Sequence, residues 1–218
     1  PSWPGSAGRG RTLGPSRRDL AKPAPMALPP VLRAKLANLH AAFDADHDGV
    51  VSKKDLALLA LRLAAHPRAT PARRRDIQSG ARYIWTELFS GRPQRLDAFL
   101  ARAADAHADP KALEAHMVAL DAVGAQLFAL ADADQDGWLG EYEWAWAVTA
   151  LGVTDTDLVR ASWGALGGAH DDRPLGPGQF RETWIRFCAG EGDDGSKMLL
   201  GAVGEGEDDV GGAGGLGN

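Results

Sequence analysis

Two twelve-residue stretches of this sequence carry acidic residues at alternating positions, and the more regular one begins at Asp132. Asp132, Asp134 and Asp136 occupy its first, third and fifth positions, and Gly137 follows at the sixth. A hard cation such as Ca²⁺ prefers about six to eight oxygen ligands, which a chain turning around it can supply from alternate side chains. Glycine permits the sharp reversal that must follow, because it adopts positive φ without strain. This spacing predicts a Ca²⁺ site.

The second half of this stretch, which ends at Glu143, supplies the remaining predicted ligands. Trp138 offers its backbone carbonyl, Gly140 can contribute only through a water, and Glu143 reaches back with both carboxylate oxygens. Leu139 is apolar and is expected to face the core and to pair with a neighbouring loop. An acidic surface turn is the alternative interpretation. Such a turn has no reason to combine every constrained position with two flanking amphipathic helices.

The stretch from Asp44 to Asp55 repeats the pattern with one departure. Its predicted ligands are the side chains of Asp44, Asp46, Asp48 and Asp55, the carbonyl of Val50, and a water-mediated contact from Ser52. Asp55 stands where the other loop has Glu143, and one methylene fewer makes bidentate ligation harder. A six-oxygen shell is then favoured, which narrows the preference for Ca²⁺ over Mg²⁺. We predict two ions per chain, one at a Ca²⁺-specific site and one at a mixed Ca²⁺/Mg²⁺ site.

Apolar residues recur at helical spacing on both sides of each loop. Before the first loop Leu32, Leu36 and Leu39 share one face, and the stripe of Leu56 and Leu59 follows it. The second half of the chain repeats this order, with one apolar helical stripe before its loop and another after it. We therefore predict an all-α fold of eight helices in four helix-loop-helix units, two in each half of the chain, with short β pairing between loops.

Two further loops are expected where the helix pairs require them, over residues 90–97 and 168–179. The first offers cationic and neutral side chains such as Arg92, and the second holds Asp171 and Asp172 side by side. Neither loop alternates carboxylates, so we predict no metal in either. Their expected role is structural, because a helix-loop-helix unit hides its apolar side against a partner unit.

On the strength of these two loops, residues 31–188 resemble the EF-hand superfamily, and in particular the sarcoplasmic-type and calerythrin-like four-EF-hand calcium-binding proteins. The subfamily resemblance depends on the long separation between Asp44 and Asp132, greater than calmodulin-like tandem hands would give, and on the many Trp residues in the helices. The resemblance implies a compact bundle of two paired-hand halves that acts as a Ca²⁺ buffer or carrier.

The two ends of the chain differ in composition from its middle. Residues 1–30 are rich in Pro, Gly, Ser and Arg, and residues 189–218 are dominated by Gly, Asp and Glu. Neither end has an apolar period, so both are predicted to stay flexible. An organelle transit peptide is the alternative for the first segment. The middle divides into residues 31–107 and 108–188, two EF-hand pairs in which the first hand binds metal and the second is degenerate.

Composition limits the partners and the compartment. The net charge is −5 over 218 residues. A surface that binds nucleic acid needs clustered Lys and Arg, so this negative charge argues against a nucleic-acid partner. The sequence has no apolar run typical of a membrane helix and only one cysteine, Cys188, so no disulfide can form within the chain. We predict a cytoplasmic monomer whose partner is calcium, with no nucleic acid or membrane partner and with a possible, unidentified protein target.

Two other functions compete with the buffer. A Ca²⁺ sensor would open a Met-rich groove for a target, yet Met117 is the one methionine well inside the helical region. A chromophore-binding enzyme could use His40, His116 and His170 with the tryptophans, but no catalytic motif is present and we predict no enzyme activity. We expect the stripe of Trp85, Trp144, Trp163 and Trp184 to form a core. Trp146 lies off that stripe, which predicts a contact between the halves or with a partner.

Overall fold

The computed structural model describes residues 27–167 and 174–191, and this part of the chain contains eight α-helices and one two-stranded sheet. The helices are α1 (Pro30–Phe43), α2 (Lys53–Ala64), α3 (Pro71–Phe89), α4 (Leu96–His107), α5 (Pro110–Ala131), α6 (Glu141–Ala150), α7 (Thr156–Ala165) and α8 (Pro177–Cys188). The strands are β1 (Val50–Val51) and β2 (Gln94–Arg95). The predicted all-α class is confirmed.

Several helices begin at the signals that their sequences carry. α1, α3, α5 and α8 each have proline in the first turn, where the missing N–H has no intrahelical acceptor to lose. Thr70 caps α3 by accepting a hydrogen bond from the Arg73 amide, and Asp109 caps α5 in the same way through the Lys111 amide. Local sequence therefore fixes where these helices enter the bundle.

The loops pair as the four-unit arrangement requires. β1 and β2 run antiparallel with Val50 opposite Arg95, which joins the first helix-loop-helix unit to the second. Leu139 and Leu175 exchange two backbone hydrogen bonds of 2.9 and 2.8 Å, which joins the third unit to the fourth. The predicted pairing of Leu139 is confirmed. The predicted adjacent acids of the fourth loop, Asp171 and Asp172, lie outside the described residues.

A single apolar core runs through both halves. Trp85, Trp144, Trp163 and Trp184 are all buried in it, as predicted from their helical spacing. The halves meet where α3 packs on α5, α2 on α6, and α1 on α8. The two pairs therefore form one body, in which each candidate metal loop lies between helices that also contact the other half.

The contact between α5 and α8 is especially close. The indole Nε1 of Trp184 donates a 2.6 Å hydrogen bond to the carbonyl of Leu120, and its ring lies directly over Gly124. A Cβ at position 124 would overlap that ring, so glycine is required there by space. The 22-residue α5 is also long and apolar enough, by composition alone, to cross a membrane. Here it packs against α3, α4 and α8 as a core helix, and its Asp121 pairs with Arg181.

Lys35 closes the bundle where α1 meets the end of α8. Its side chain is fully buried, and its Nζ donates a 2.7 Å hydrogen bond to the carbonyl of Glu191 while lying over the ring of Phe187. Gly190, at φ +75°, packs against Leu32. The folded body therefore extends past the predicted end of the second pair at residue 188.

Candidate metal centres

The third loop, residues 132–143, is built between α5 and α6. Asp132 is the C-cap of α5, and Glu143 lies in the first turn of α6. Oxygens of Asp132, Asp134 and Asp136 all lie within 4.8 Å of one another, close enough to share one ion. Gly137 has φ +85°, the positive value expected at the reversal. The structure thus brings together three of the four carboxylates that the spacing predicted in this loop.

Hydrogen bonds hold this loop around its two buried acids. Glu143 Oε1 accepts from the amides of Ala133 (2.9 Å) and Asp134 (3.4 Å), and its Oε2 accepts from Gly140 (3.1 Å). Asp132 Oδ2 accepts from the amide of Gly137, whereas its buried Oδ1 has no hydrogen-bond partner among the described residues. Leaving a buried carboxylate oxygen unpaired is costly. A cation in the loop would satisfy it, so the donor set fits Ca²⁺ chemically.

The first loop, residues 44–55, gathers its acids in the same way. Oxygens of Asp44, Asp46 and Asp48 lie within 4.8 Å of one another, and Gly49 has φ +82°. Asp44 and Asp55 are buried. Asp44 accepts hydrogen bonds at both oxygens, from the amide of Asp48 at 3.2 Å and from that of Gly49 at 2.8 Å. The loop is therefore a second candidate centre with its first ligand already held by the backbone.

Asp55 spans the same backbone groups as its longer counterpart Glu143. Its Oδ1 accepts from the amides of Ala45 (3.1 Å) and Asp46 (3.2 Å), and its Oδ2 accepts from both the amide (2.8 Å) and the hydroxyl (2.7 Å) of Ser52. Burial by itself would raise the pKa of Asp55. The hydrogen bonds, chiefly those from Ser52, outweigh burial, and the pKa is lowered. Asp55 is thus held as a carboxylate, the form that binds metal.

The non-carboxylate positions of the two loops also correspond. The amides of Val50 and Trp138 donate 2.8 Å hydrogen bonds to Asp48 and Asp136 respectively, giving both loops the same turn. Ser52 and Gly140 are the N-caps of α2 and α6. The assignment of six ligand residues in each loop stays a prediction. These residues are Asp44, Asp46, Asp48, Val50, Ser52 and Asp55 in the first loop, and Asp132, Asp134, Asp136, Trp138, Gly140 and Glu143 in the third.

A cation pairs with the third position of each loop, which the sequence analysis did not anticipate. Lys54 Nζ lies 2.6 Å from Asp46 in the first loop, and Arg68 lies 2.9 Å from Asp134 in the third. The hydrogen bond and charge of Asp46 raise the pKa of Lys54. Lys54 belongs to the same loop and could have been suspected from sequence. Arg68 comes from the connection between α2 and α3, and no local signal links it to residue 134.

Hydrogen bonds connect the first half of the chain to α5 and α6 of the third unit. Arg62 donates to the carbonyls of Ala45 (3.0 Å) and Ala150 (3.2 Å), connecting the first loop to the end of α6. The indole of Trp146 donates to the carbonyl of Arg62, and the buried Arg73 donates to the carbonyl of Ala129 near the end of α5. The predicted role of Trp146 in contact between the halves is confirmed.

Of the three histidines proposed for a chromophore site, the structure describes His40 and His116. His40 Nε2 is 3.0 Å from the carbonyl of Gln94, beside the loop pairing. His116 lies on α5, where burial lowers its pKa to about 4. His170 lies outside the described residues. A cavity of about 20 Å³ lies between the halves beside Trp144 and Trp184, space for about one water molecule. The described histidines do not line it.

No family model matches this chain, and no curated protein matches it. Solved structures do match. The chain is similar to a coelenterazine-binding protein from Renilla muelleri, described as Ca-loaded and apo, with a TM-score of 0.63 and 17% identity over 80% of this chain and 99% of that one. It is also similar to a sarcoplasmic calcium-binding protein from amphioxus, with a TM-score of 0.51 and 14% identity over 80% and 98% of the two chains.

A third similar structure is that of a calcium-binding protein from Streptomyces coelicolor, which takes part in prokaryotic calcium-mediated regulation. Its TM-score is 0.51 at 21% identity, over 74% of this chain and 99% of that one. Sequence identities this low establish the fold. The chain has the fold of the four-EF-hand proteins, shared by the coelenterazine-binding and the sarcoplasmic proteins alike.

Proposed function

We propose that this protein is a Ca²⁺ buffer or carrier that binds two divalent cations, one in the first loop and one in the third. The observation that carries the proposal is the unpaired, buried Oδ1 of Asp132, one of three aspartates that each have a carboxylate oxygen within 4.8 Å of the others. The calcium-binding proteins of the same fold support the choice of ion. The third-loop site is proposed to be specific for Ca²⁺.

The first-loop site is proposed to bind both Ca²⁺ and Mg²⁺. Asp55 and Glu143 both accept hydrogen bonds from their loops at both carboxylate oxygens, but the Asp55 side chain is one methylene shorter. A second oxygen is therefore harder to turn toward an ion, which favours the six-oxygen shell that Mg²⁺ demands. A site of this kind exchanges Mg²⁺ for Ca²⁺, which suits a slow buffer. The proposal includes the cytoplasmic monomer predicted from the sequence.

Calorimetric titration of the full chain with Ca²⁺, with and without millimolar Mg²⁺, tests the proposal. Two ions per chain are expected, with Mg²⁺ weakening one site far more than the other. Three or four ions would contradict the assignment of the second and fourth loops, and no binding would overturn the proposal. Light-scattering chromatography in the same buffers tests the monomer.

Terbium luminescence assigns the sites. Tb³⁺ is a luminescent hard cation that takes oxygen ligands, and an adjacent indole can transfer excitation to it. The seventh position is Trp138 in the third loop and Val50 in the first. Tryptophan-sensitised emission is therefore expected to report the third loop, and Trp138→Phe should remove most of it. Emission unchanged by that substitution would show that the ion lies elsewhere.

A Ca²⁺ sensor is the second candidate, and one observation favours it. A groove of about 540 Å³ lies along α6 and the end of α2, with Tyr142, Trp146 and Arg62 among its lining residues. More than half of the surface of Tyr142 is exposed. A sensor would expose further apolar surface on binding Ca²⁺. Strong Ca²⁺-dependent binding of an environment-sensitive apolar dye would favour the sensor, whereas unchanged dye binding would favour the buffer.

A further inference from the structure

The third-position aspartates of the two candidate centres are paired with cations of different origin. Asp46 is paired within its own loop by Lys54, whereas Asp134 is paired by Arg68, which belongs to the other half of the protein. Both cations are largely exposed, and both aspartates are predicted metal ligands. Any cation that enters either loop must compete with the ion pair for the carboxylate.

Arg68 reaches Asp134 because the connection between α2 and α3, residues 65–70, is docked against α6. His66 in this connection is buried, and its ring makes edge-to-face contacts with Tyr142 and Trp146 at centroid distances of 5.4 and 5.0 Å. The amide of Arg68 donates a 3.2 Å hydrogen bond to His66 Nδ1. The position of Arg68 is thus set by an aromatic contact that touches no predicted ligand.

We propose that Arg68 is an affinity-determining residue of the third-loop site, and that the docked 65–70 connection is the device that presents it. The inference rests on the proposed function, because it assigns a control of Ca²⁺ binding at that same site. Arg68 lowers the affinity in two ways: it occupies an oxygen of Asp134, and its positive charge repels an entering cation. The first half of the molecule thereby adjusts the metal site of the second half.

Removal of this one charge is the direct experiment. Arg68→Gln in the full chain should tighten Ca²⁺ binding at the third loop about two- to fivefold, the size expected for an exposed ion pair, and leave the first loop unchanged. The measurement is Ca²⁺ displacement of Trp138-sensitised Tb³⁺, with calorimetry for the first loop. Lys54→Gln is the matched control, which should tighten the first loop and spare the third. Arg181→Gln, which breaks the exposed pair with Asp121, should change neither.

Salt provides a second readout that a purely structural role would not move. Raising KCl from about 0.1 to 1 M shortens the screening length from about 10 to 3 Å. The difference in third-loop affinity between wild type and Arg68→Gln should therefore shrink at high salt. A difference that persisted unchanged would show that Arg68 does not act through its charge.

His66→Ala tests the docking device by removing its ring contacts with Tyr142 and Trp146 while leaving every predicted ligand of the third loop in place. Release of the connection should tighten the third-loop site in the same direction as Arg68→Gln, and the double variant should show no further gain, because both changes remove the same interaction. Fully additive gains would overturn the role of the docked connection, as would a loss of affinity in His66→Ala that Arg68→Gln does not share.

The outcomes separate this inference from the proposed function. Wild type that binds two Ca²⁺, with Arg68→Gln of equal third-loop affinity, would overturn the inference and leave the buffer proposal standing. Wild type that binds no Ca²⁺ would overturn both. The inference is supported if Arg68→Gln and His66→Ala both tighten the third loop, the double variant shows no further gain, and the gain of Arg68→Gln shrinks at high salt.

Discussion

The first and third loops share a backbone pattern but differ in how completely their acids are satisfied. Asp44 accepts a hydrogen bond at each oxygen, whereas Asp132 leaves a buried oxygen without a partner among the described residues. A cation entering the third loop would supply the partner that Asp132 lacks, whereas one entering the first loop would share Asp44 oxygens that already accept backbone hydrogen bonds. Two stretches that match one consensus can therefore differ in affinity through hydrogen bonds that the consensus does not contain.

The twelfth position sharpens this comparison, and Glu143→Gln is expected to have the largest effect. The substitution removes the anion while keeping the shape and the oxygen that accepts from Ala133. Third-loop Ca²⁺ affinity should fall at least about 100-fold, with the first loop unchanged, because charge and bidentate reach are lost together. Tb³⁺ luminescence measures the loss, and Glu141→Gln on the exposed face of the same turn is the control. Undiminished third-loop binding would mean that the ligand assignment is wrong.

Asp55→Glu should make the first loop resemble the third. The added methylene restores bidentate reach, so Ca²⁺ affinity at the first loop should rise about tenfold and Mg²⁺ should compete less. Paired Ca²⁺ titrations of wild type and variant, each with and without Mg²⁺, provide the measurement. The third loop serves as the internal control and should not change. If Mg²⁺ shifts both proteins equally, the twelfth position does not determine selectivity here.

Substitutions at the N-cap residues of α2 and α6 should have smaller effects than those at the twelfth position. Ser52 caps α2 by accepting from the Lys54 amide, whereas Gly140 has no side chain to do the same for α6. Ser52→Ala should lower the free energy of unfolding without metal by about 1 kcal/mol, and Gly140→Ser should raise it by about 0.5 kcal/mol. Urea unfolding in chelator measures both. A more stable Ser52→Ala variant or a less stable Gly140→Ser variant would contradict these cap assignments.

Trimming the chain to residues 28–191 should have the smallest effect. We expect both loops to keep their affinities and the unfolding free energy to change by less than about 0.5 kcal/mol, because the removed segments have no apolar period. A cut after residue 189 is the contrasting variant. It removes the Glu191 carbonyl that accepts from the buried Lys35, and it should lower thermal stability measurably. Equal stability of the two trimmed chains would contradict that role for Glu191.

Much of this fold was predictable because local signals and helical periods agree. The prolines and caps that begin α3 and α5, the four buried tryptophans and the pairing of Leu139 all follow from spacing within a few residues. The carboxylate clusters were predictable for the same reason, since alternation along a turn brings its side chains together.

The contacts between the halves were not predictable in this way. Arg68 and Asp134 are far apart in sequence, and neither has a local pattern that names the other. The burial of Lys35 is a similar case, because a lysine at a helical position normally indicates a solvated face. Both depend on how two halves dock, which is decided by packing across the bundle rather than by any single helix.

The Lys35 contact with Glu191 also brings the two ends of the folded body together. Because α1 and the last turn after α8 touch, a short Gly/Ser linker could join residue 191 to residue 28, and new termini could be opened in the exposed turn at Gly91. Such a circular permutant would keep both metal loops on unbroken stretches of chain. Fluorescent proteins attached to its new termini would lie beside the loop that pairs with residues 44–55, so that they could report a change there.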